Sequence, residues 1–106
     1  MLIRAEKVII ITERIICSRI IDYLESMGIK AYTIYQDISG QGNRDIRSIS
    51  GGLSRYGENI RLEVIIKDDE KAVEIVEKIY EKYLHSKYAG IIYIEDVRII
   101  NKNKEG

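Results

Sequence analysis

In the first third of the chain, the hydrophobic residues form a continuous run typical of a strand and then recur with the period of a helix. The β-branched run from Val8 to Ile11 is apolar on both faces of any strand and predicts the first strand. Thr12 and Glu13 come next and indicate the start of a helix. Over residues 13–27, apolar side chains recur every four positions, which predicts an amphipathic helix. Its apolar stripe is Ile16, Ile20 and Leu24, and its polar stripe is Arg14, Ser18, Asp22 and Ser26.

Turn residues separate the elements that follow. Gly28 lies where a left-handed residue commonly ends a helix, and residues 31–36 predict the second strand. Residues 60–66 predict the third strand because apolar and charged positions alternate there. The acidic residues 68–70 favour the first turn of a second helix. The predicted apolar side of that helix is Ala72, Val73, Val76, Ile79, Tyr80 and Tyr83, and its solvated side is Glu74, Glu77, Lys78, Glu81 and Lys82.

The order of elements predicts the fold. Residues 90–94 indicate a fourth strand that resumes through residues 97–100, and the tail from 101 to 106 is expected to be disordered. The resulting order, βαββαβ, predicts an α+β protein: a ferredoxin-like two-layer sandwich with two helices on one face of a four-stranded antiparallel sheet. The first and fourth strands carry isoleucine on both faces, so the second face needs a cover. We expect a homo-oligomer; the alternative is a surface that tolerates exposed isoleucines.

Composition narrows the class of protein. A chain of 106 residues predicts a single domain over residues 1–106, with 17 basic and 17 acidic side chains and a formal net charge of zero. A general affinity for nucleic acid or acidic membranes is therefore not expected, and any anion site must be local. The single cysteine, Cys17, has no partner for a disulfide, and no apolar run reaches the length of a membrane span. These features predict a cytoplasmic protein.

The connection between the second and third strands, residues 37–59, is the segment where we expect function. A loop of this length is uncommon in a compact domain and is usually functional or disordered. Five glycines allow turns whose amides can converge on an anion. Arg44 and Arg47 are three positions apart and can reach one phosphate if the segment turns. The chain holds no Walker-type phosphate loop.

Other chemistry-bearing residues favour binding over catalysis. The only histidine, His85, lies near the end of the second helix and favours a capping or exposed role. Cys17 is expected to behave as a small buried hydrophobe. The serines of the loop have no histidine nearby in sequence, and Asp45 between two arginines is a weak base. We therefore do not expect an enzyme, a metal site or a resident cofactor.

Five short blocks, in this order and spacing, resemble the PII superfamily of trimeric signalling proteins. The chain is most similar to the PII-like branch typified by SbtB, the regulator associated with a bicarbonate transporter. The resemblance extends from about residue 8 to residue 100. The blocks are IITER (10–14), AYTI (31–34), GNRDIRS (42–48), NIRLEV (59–64), and KY followed by GIIYI (87–94).

The resemblance implies an adenine-nucleotide site in each of three clefts between subunits. The long loop is the T-loop of the family, and the ligand is cAMP, AMP, ADP or ATP. Arg44 and Arg47 would hold the phosphate, with Gly42 and Asn43 as further donors. Gly90 would let the ligand approach the backbone of the adjoining subunit. The cleft near the base would be lined by Tyr32, Thr33 and Ile34.

Two departures and several alternatives accompany this resemblance. The link at residues 84–89 is one residue longer than in SbtB, and the chain lacks the C-terminal cysteine pair that some members use for nucleotide hydrolysis. The resemblance implies regulation of a partner, a bicarbonate or other membrane transporter, which would recruit the protein to the membrane. The alternatives are a CutA-like metal-associated trimer, a small nucleotide hydrolase and a purely structural oligomer.

Overall fold

The computed structural model describes residues 1–38 and 59–102. Its four strands form one sheet in the order β2-β3-β1-β4, and every pair of neighbours is antiparallel. The ferredoxin-like α+β sandwich predicted from the sequence is confirmed. The strands are β1 (Leu2–Glu13), β2 (Thr33–Ile38), β3 (Asn59–Ile66) and β4 (Gly90–Ile100). The helical elements are a 3-10 turn (Arg14–Ile16), α1 (Cys17–Ser26), α2 (Asp69–Ile79) and a π turn (Tyr80–Leu84).

The strands are longer than, or shifted from, their predicted ranges because pairing decides where they end. β1 and β4 pair continuously from Leu2 opposite Ile100 to Thr12 opposite Gly90. The predicted run of apolar residues is only the centre of β1, and β4 continues through its charged middle instead of breaking. β2 starts two residues later than predicted, and its register with β3 shifts between Tyr35 and Ile38.

The core lies between the sheet and the two helices. Side chains alternate along each strand, and the even-numbered positions of β1 and β3 face the helices. Ile20 and Leu24 of α1 are fully buried, as the four-residue period predicted, and the polar stripe of that helix is exposed. Gly28 ends the helix at a φ of 85°, the left-handed conformation expected there.

The buried side of α2 differs from the prediction. Val73 and Tyr80 were assigned to the apolar side, but they are 40% and 46% exposed. Ile75, which was not assigned, is fully buried. Ala72, Ile75 and Ile79 form the inward stripe at helical spacing, and Val73 lies about 100° from it on the helix circumference. The five-residue π turn that follows places its last two residues, Tyr83 and Leu84, in the core.

The second face of the sheet is not covered by either helix. It carries the odd-numbered positions of the strands, where Ile9 is fully buried by its neighbours and Ile11, Ile91 and Tyr93 are half-buried. We call these odd-numbered positions the open face. Among the described residues it carries an ion pair between β1 and β4, Lys7 with Glu95 at 3.4 Å, and one within β3, Arg61 with Glu63 at 2.7 Å.

Both ends of the described chain meet at the far end of the β1–β4 ladder. The amide of Asn101 donates to the carbonyl of Met1 at 2.9 Å. The rest of the tail predicted to be disordered, residues 103–106, lies outside the described residues. No helix in the described part of the chain is long and apolar enough to span a membrane.

Candidate functional site

One end of the sheet collects the segments that the sequence analysis connected with function. β1 and β2 end there, and β3 and β4 begin there. Ile38 pairs with Asn59, Asn59 with Glu13, and the neighbouring Thr12 with Gly90. The long connection therefore leaves and re-enters the fold beside the loop that precedes β4.

The side chains of Thr12 and Glu13 bind the loop that precedes β4 through hydrogen bonds. The hydroxyl of Thr12 donates to the carbonyl of Ala89 at 2.6 Å, and the Glu13 carboxylate accepts from the amide of Ala89 at 2.7 Å. Both backbone polar groups of Ala89 are thus bound by the end of β1. We call these two hydrogen bonds the Ala89 clamp.

Gly90 packs tightly against its own chain. A Cβ added at this position would lie 2.7 Å from the carbonyl oxygen of Ile11 and 2.9 Å from side-chain atoms of Leu84 and Thr12. A backbone oxygen has little freedom to move away, so any larger residue would be overpacked here. The fold itself needs glycine at this position, and its role as a ligand contact stays a prediction.

The loop is fixed from the helix side as well. At the end of the π turn, the amide of His85 donates to the carbonyl of Tyr80 at 2.8 Å. The amide of Tyr88 donates to the carbonyl of Tyr83 at 3.0 Å. Arg19 of α1 donates to the hydroxyl of Tyr88 at 3.1 Å.

The residues predicted to line the base pocket lie on the other edge of the sheet. Tyr32 and Ile34 are half-buried and pack against the core on the helix side, whereas Thr33 is exposed. β2 and β4 are the two edge strands, with β3 and β1 between them. The structure therefore separates Tyr32, Thr33 and Ile34 from Gly90 within one protomer. The predicted phosphate-binding residues Gly42, Asn43, Arg44 and Arg47 lie outside the described residues.

Sequence reasoning missed Thr12 and Glu13, because it assigned them to the start of a helix. They are the last residues of β1. Glu13 is also the N-cap residue of the following 3-10 turn, but its side chain makes no hydrogen bond to that turn. The available signal was two polar residues directly after a buried strand, where side chains reach the loops at the end of a sheet. Arg19 was missed because it resembled any exposed cation on a helix.

The remaining candidates have simple environments. Cys17 is half-buried against the core, and burial raises the pKa of its thiol. His85 is exposed and meets the ring of Tyr80 edge-on, with ring centroids 5.7 Å apart. Among residues 1–38 and 59–102, no three His, Cys, Asp or Glu side chains lie close enough together to hold a metal ion.

A polar network lies on the open face near the β2 edge. The Nε of Arg61 donates to Glu63 at 2.8 Å, and its guanidinium lies 5.8 Å from the centre of the Tyr35 ring. Burial lowers the pKa of Arg61, but the Glu63 hydrogen bond and the nearby charge outweigh it and raise the pKa overall. Arg61 therefore stays charged, and its charge is balanced on a largely apolar surface.

These features define a ferredoxin-like sandwich with a clamped loop beside a long connection. The family model described as nitrogen regulatory protein P-II matches residues 5–104. The chain therefore belongs to the P-II family, and it is a PII-like signalling protein.

Solved structures agree with this assignment. A PII-like signalling protein of Thermus thermophilus is 34% identical, with 97% of this chain and 96% of that chain covered and a TM-score of 0.73. CPII of Thiomonas intermedia, a PII-like protein bound to ADP, AMP and bicarbonate, is 20% identical, with 95% and 98% covered and a TM-score of 0.75. The GlnK–ATP complex of B. subtilis is 16% identical, with 89% and 82% covered and a TM-score of 0.59. The last two likenesses show the fold alone.

Proposed function

We propose that this protein is a sensor of adenine nucleotides of the SbtB type. A homotrimer binds cAMP, AMP, ADP or ATP in the clefts between its subunits, and the T-loop, residues 37–59, carries the signal to a partner. The partner is a bicarbonate or other membrane transporter, which recruits this cytoplasmic protein to the membrane. The ligands of fold relatives support the nucleotide class, since CPII is bound to ADP and AMP and GlnK to ATP.

The separation of the predicted site between two edge strands is the observation that carries the intersubunit cleft. Across the sheet, Thr33 of β2 pairs with Glu63 of β3, and Glu63 pairs with Ile9 of β1. Ile9 in turn pairs with Tyr93 of β4, which lies three residues after Gly90. Thr33 and Gly90 are therefore roughly 17 Å apart, since three strand spacings separate them across the sheet and three residues separate them along the strand direction. Two strands lie between them, so one small ligand can contact both positions only where a β2 edge meets the β4 edge of another subunit.

Each residue has a defined part in the proposed site. Arg44 and Arg47 pair with the phosphate, and Gly42 and Asn43 donate further hydrogen bonds to it. Gly90 presents backbone that no side chain screens from the ligand. Tyr32, Thr33 and Ile34 line the region of the base.

Calorimetric titration tests the phosphate assignment. We expect wild-type protein to bind at least one of cAMP, AMP, ADP, ATP and cyclic di-AMP. Arg44→Ala and Arg47→Ala should each weaken binding by roughly 10- to 100-fold, because each removes a charge-assisted bond to phosphate worth about 1.5–3 kcal/mol. Arg55→Ala, which removes the same charge from the same loop, should change affinity by less than about threefold.

Two results would contradict the proposal. Unchanged affinity in the Arg44→Ala/Arg47→Ala double variant would remove these residues from the phosphate site. Thermal stabilisation by a divalent metal, with no response to any nucleotide, would favour the CutA-like alternative. Prolonged incubation with each nucleotide, followed by chromatography of the products, tests the hydrolase alternative.

A further inference from the structure

We propose that Thr12 and Glu13 are positioning residues for the nucleotide cleft. Through the Ala89 clamp, they hold Ala89 and Gly90 in the conformation that a nucleotide meets. This inference rests on the proposed function, because it concerns the β4 side of the same cleft. It assigns a role to two residues of the IITER block (10–14) for which neither the resemblance nor the proposed ligand contacts gives one.

The clamp binds both polar backbone groups of one residue. Thr12 donates to the carbonyl of Ala89 and Glu13 accepts from its amide, at 2.6 Å and 2.7 Å. Thr12 is 0% exposed, so water cannot replace its hydroxyl as the donor. The peptide groups on both sides of Ala89 are thereby oriented by β1.

The residue next to the clamp, Gly90, is tightly packed. Gly90 leaves no room for a Cβ against Ile11, Leu84 and Thr12. A movement of Ala89 away from β1 would also lift Gly90 out of this contact. The hydrogen bonds and the packing therefore reinforce each other at the first residue of β4.

A rigid loop at a binding site favours affinity. Ligands lose affinity when they must order a loop, and a loop already held in its bound conformation avoids that cost. Arg44 and Arg47 supply the charged side of the proposed cleft, so a fixed opposite wall is the useful complement. Ala89 and Gly90 form that wall without contributing a charged side chain.

The experiment uses paired variants that differ only in the clamp. Thr12→Val removes the hydroxyl while it keeps the branched shape, and Thr12→Ser keeps the hydroxyl. Glu13→Ala removes the acceptor, and Glu13→Gln keeps a side-chain carbonyl that can accept from Ala89. The probes are those of cAMP, AMP, ADP, ATP and cyclic di-AMP that wild type binds. We expect Thr12→Val and Glu13→Ala to bind them about tenfold more weakly than wild type, and the two conservative variants to stay within about threefold.

Amide hydrogen exchange separates positioning from a general loss of stability. Affinity is measured at a temperature where circular dichroism shows every variant folded. In wild type, the amides of Ala89 and Gly90 should be protected with or without nucleotide. In Thr12→Val and Glu13→Ala they should exchange faster when free and regain protection when the nucleotide binds.

The outcomes distinguish this inference from the proposed function. If wild type binds and the Arg44 and Arg47 variants lose binding, but Thr12→Val and Glu13→Ala bind as tightly as wild type, the positioning role is wrong and the nucleotide site stands. A lower melting temperature with unchanged affinity likewise assigns the clamp to folding alone. If wild type binds none of the five nucleotides, the proposed function fails and this inference fails with it.

Discussion

At the scale of single residues, two acidic side chains face each other across the β1–β4 ladder. Glu6 and Asp96 are register partners, and like charges directly opposite on a sheet repel. Burial, a hydrogen bond with Asp96 and the negative charges of Asp96 and Asp69 raise the pKa of Glu6 above its usual 4.5, while Arg4 opposes the shift. The folded state therefore holds a proton on Glu6 more tightly than the unfolded chain does.

This pair predicts a pH dependence of stability. Between pH 4.5 and the raised pKa of Glu6, the folded state binds more protons than the unfolded state, so this residue's contribution falls as the pH rises. Glu6→Gln removes the charge, and we expect the variant to be more stable than wild type above the raised pKa and to lose that advantage towards pH 4.5. Urea unfolding from pH 4 to pH 8 measures the difference. Glu25→Gln, an exposed carboxylate on α1, is the control, and an advantage of Glu6→Gln that grows on acidification would contradict the assignment.

At the scale of elements, α2 shows how a helix is fixed at both ends by different means. Asp68 precedes its first residue in extended conformation, and its carboxylate accepts from the amides of Glu70 and Lys71 at 3.0 and 3.3 Å. Its far end continues into the π turn, which buries Tyr83 and Leu84. The start of α2 is therefore determined locally, whereas its end is shaped by the packing of Leu84 over Gly90.

The cap of α2 gives a prediction at this scale. Asp68→Ala leaves two amides of the first turn without their acceptor, and we expect a loss of about 1 kcal/mol in the free energy of unfolding. Asp68→Asn keeps an acceptor oxygen and should lose much less. Asp69→Ala, one residue into the helix, is the matched control. Chemical denaturation followed by circular dichroism measures all three, and equal losses in Asp68→Ala and Asp69→Ala would remove the special role of the cap.

At the scale of the whole molecule, the two faces of the sheet differ in their covering. The helix face is buried within one chain, whereas the open face retains half-buried isoleucines and a balanced set of charges. Ile65 on the open face and Val73 on α2 are equally exposed in the single chain, at 42% and 40%. The two surfaces differ in their neighbours instead: Ile65 belongs to the sheet face that carries Ile9, Ile11 and Ile91, and an apolar patch of this kind is typical of an interface.

This matched pair tests the proposed trimer. We expect Ile65→Lys to lower the mass of the particle, because it places an unpaired charge among the apolar side chains of packed open faces. Val73→Lys should leave the mass unchanged. Light scattering coupled to size-exclusion chromatography measures both, with wild type expected at three times the mass of the chain. Dissociation by Val73→Lys alone would place the subunit contact on α2 instead of the open face.

The comparison between sequence and structure is clearest at the functional end of the sheet. The sequence motifs directed attention to Gly90 and to Arg44 and Arg47. The structure explains Gly90 by close packing, and the two arginines lie outside the described residues, so their role stays a prediction. The role of Thr12 and Glu13 became visible only in the structure, because their partner Ala89 lies 77 and 76 residues further along the chain.

The sequence by itself determined the type and order of the four strands and two α-helices among the described residues, and so the ferredoxin-like fold. Helical and strand periods are local properties, and Gly28 and the acidic residues 68–70 marked helix ends through local backbone and charge effects. Only the tertiary structure decided where the strands end, which side of α2 is buried and which loop β1 holds. Those features depend on pairing between distant segments and on how side chains fill the space between them, and a local pattern carries no information about its distant partner.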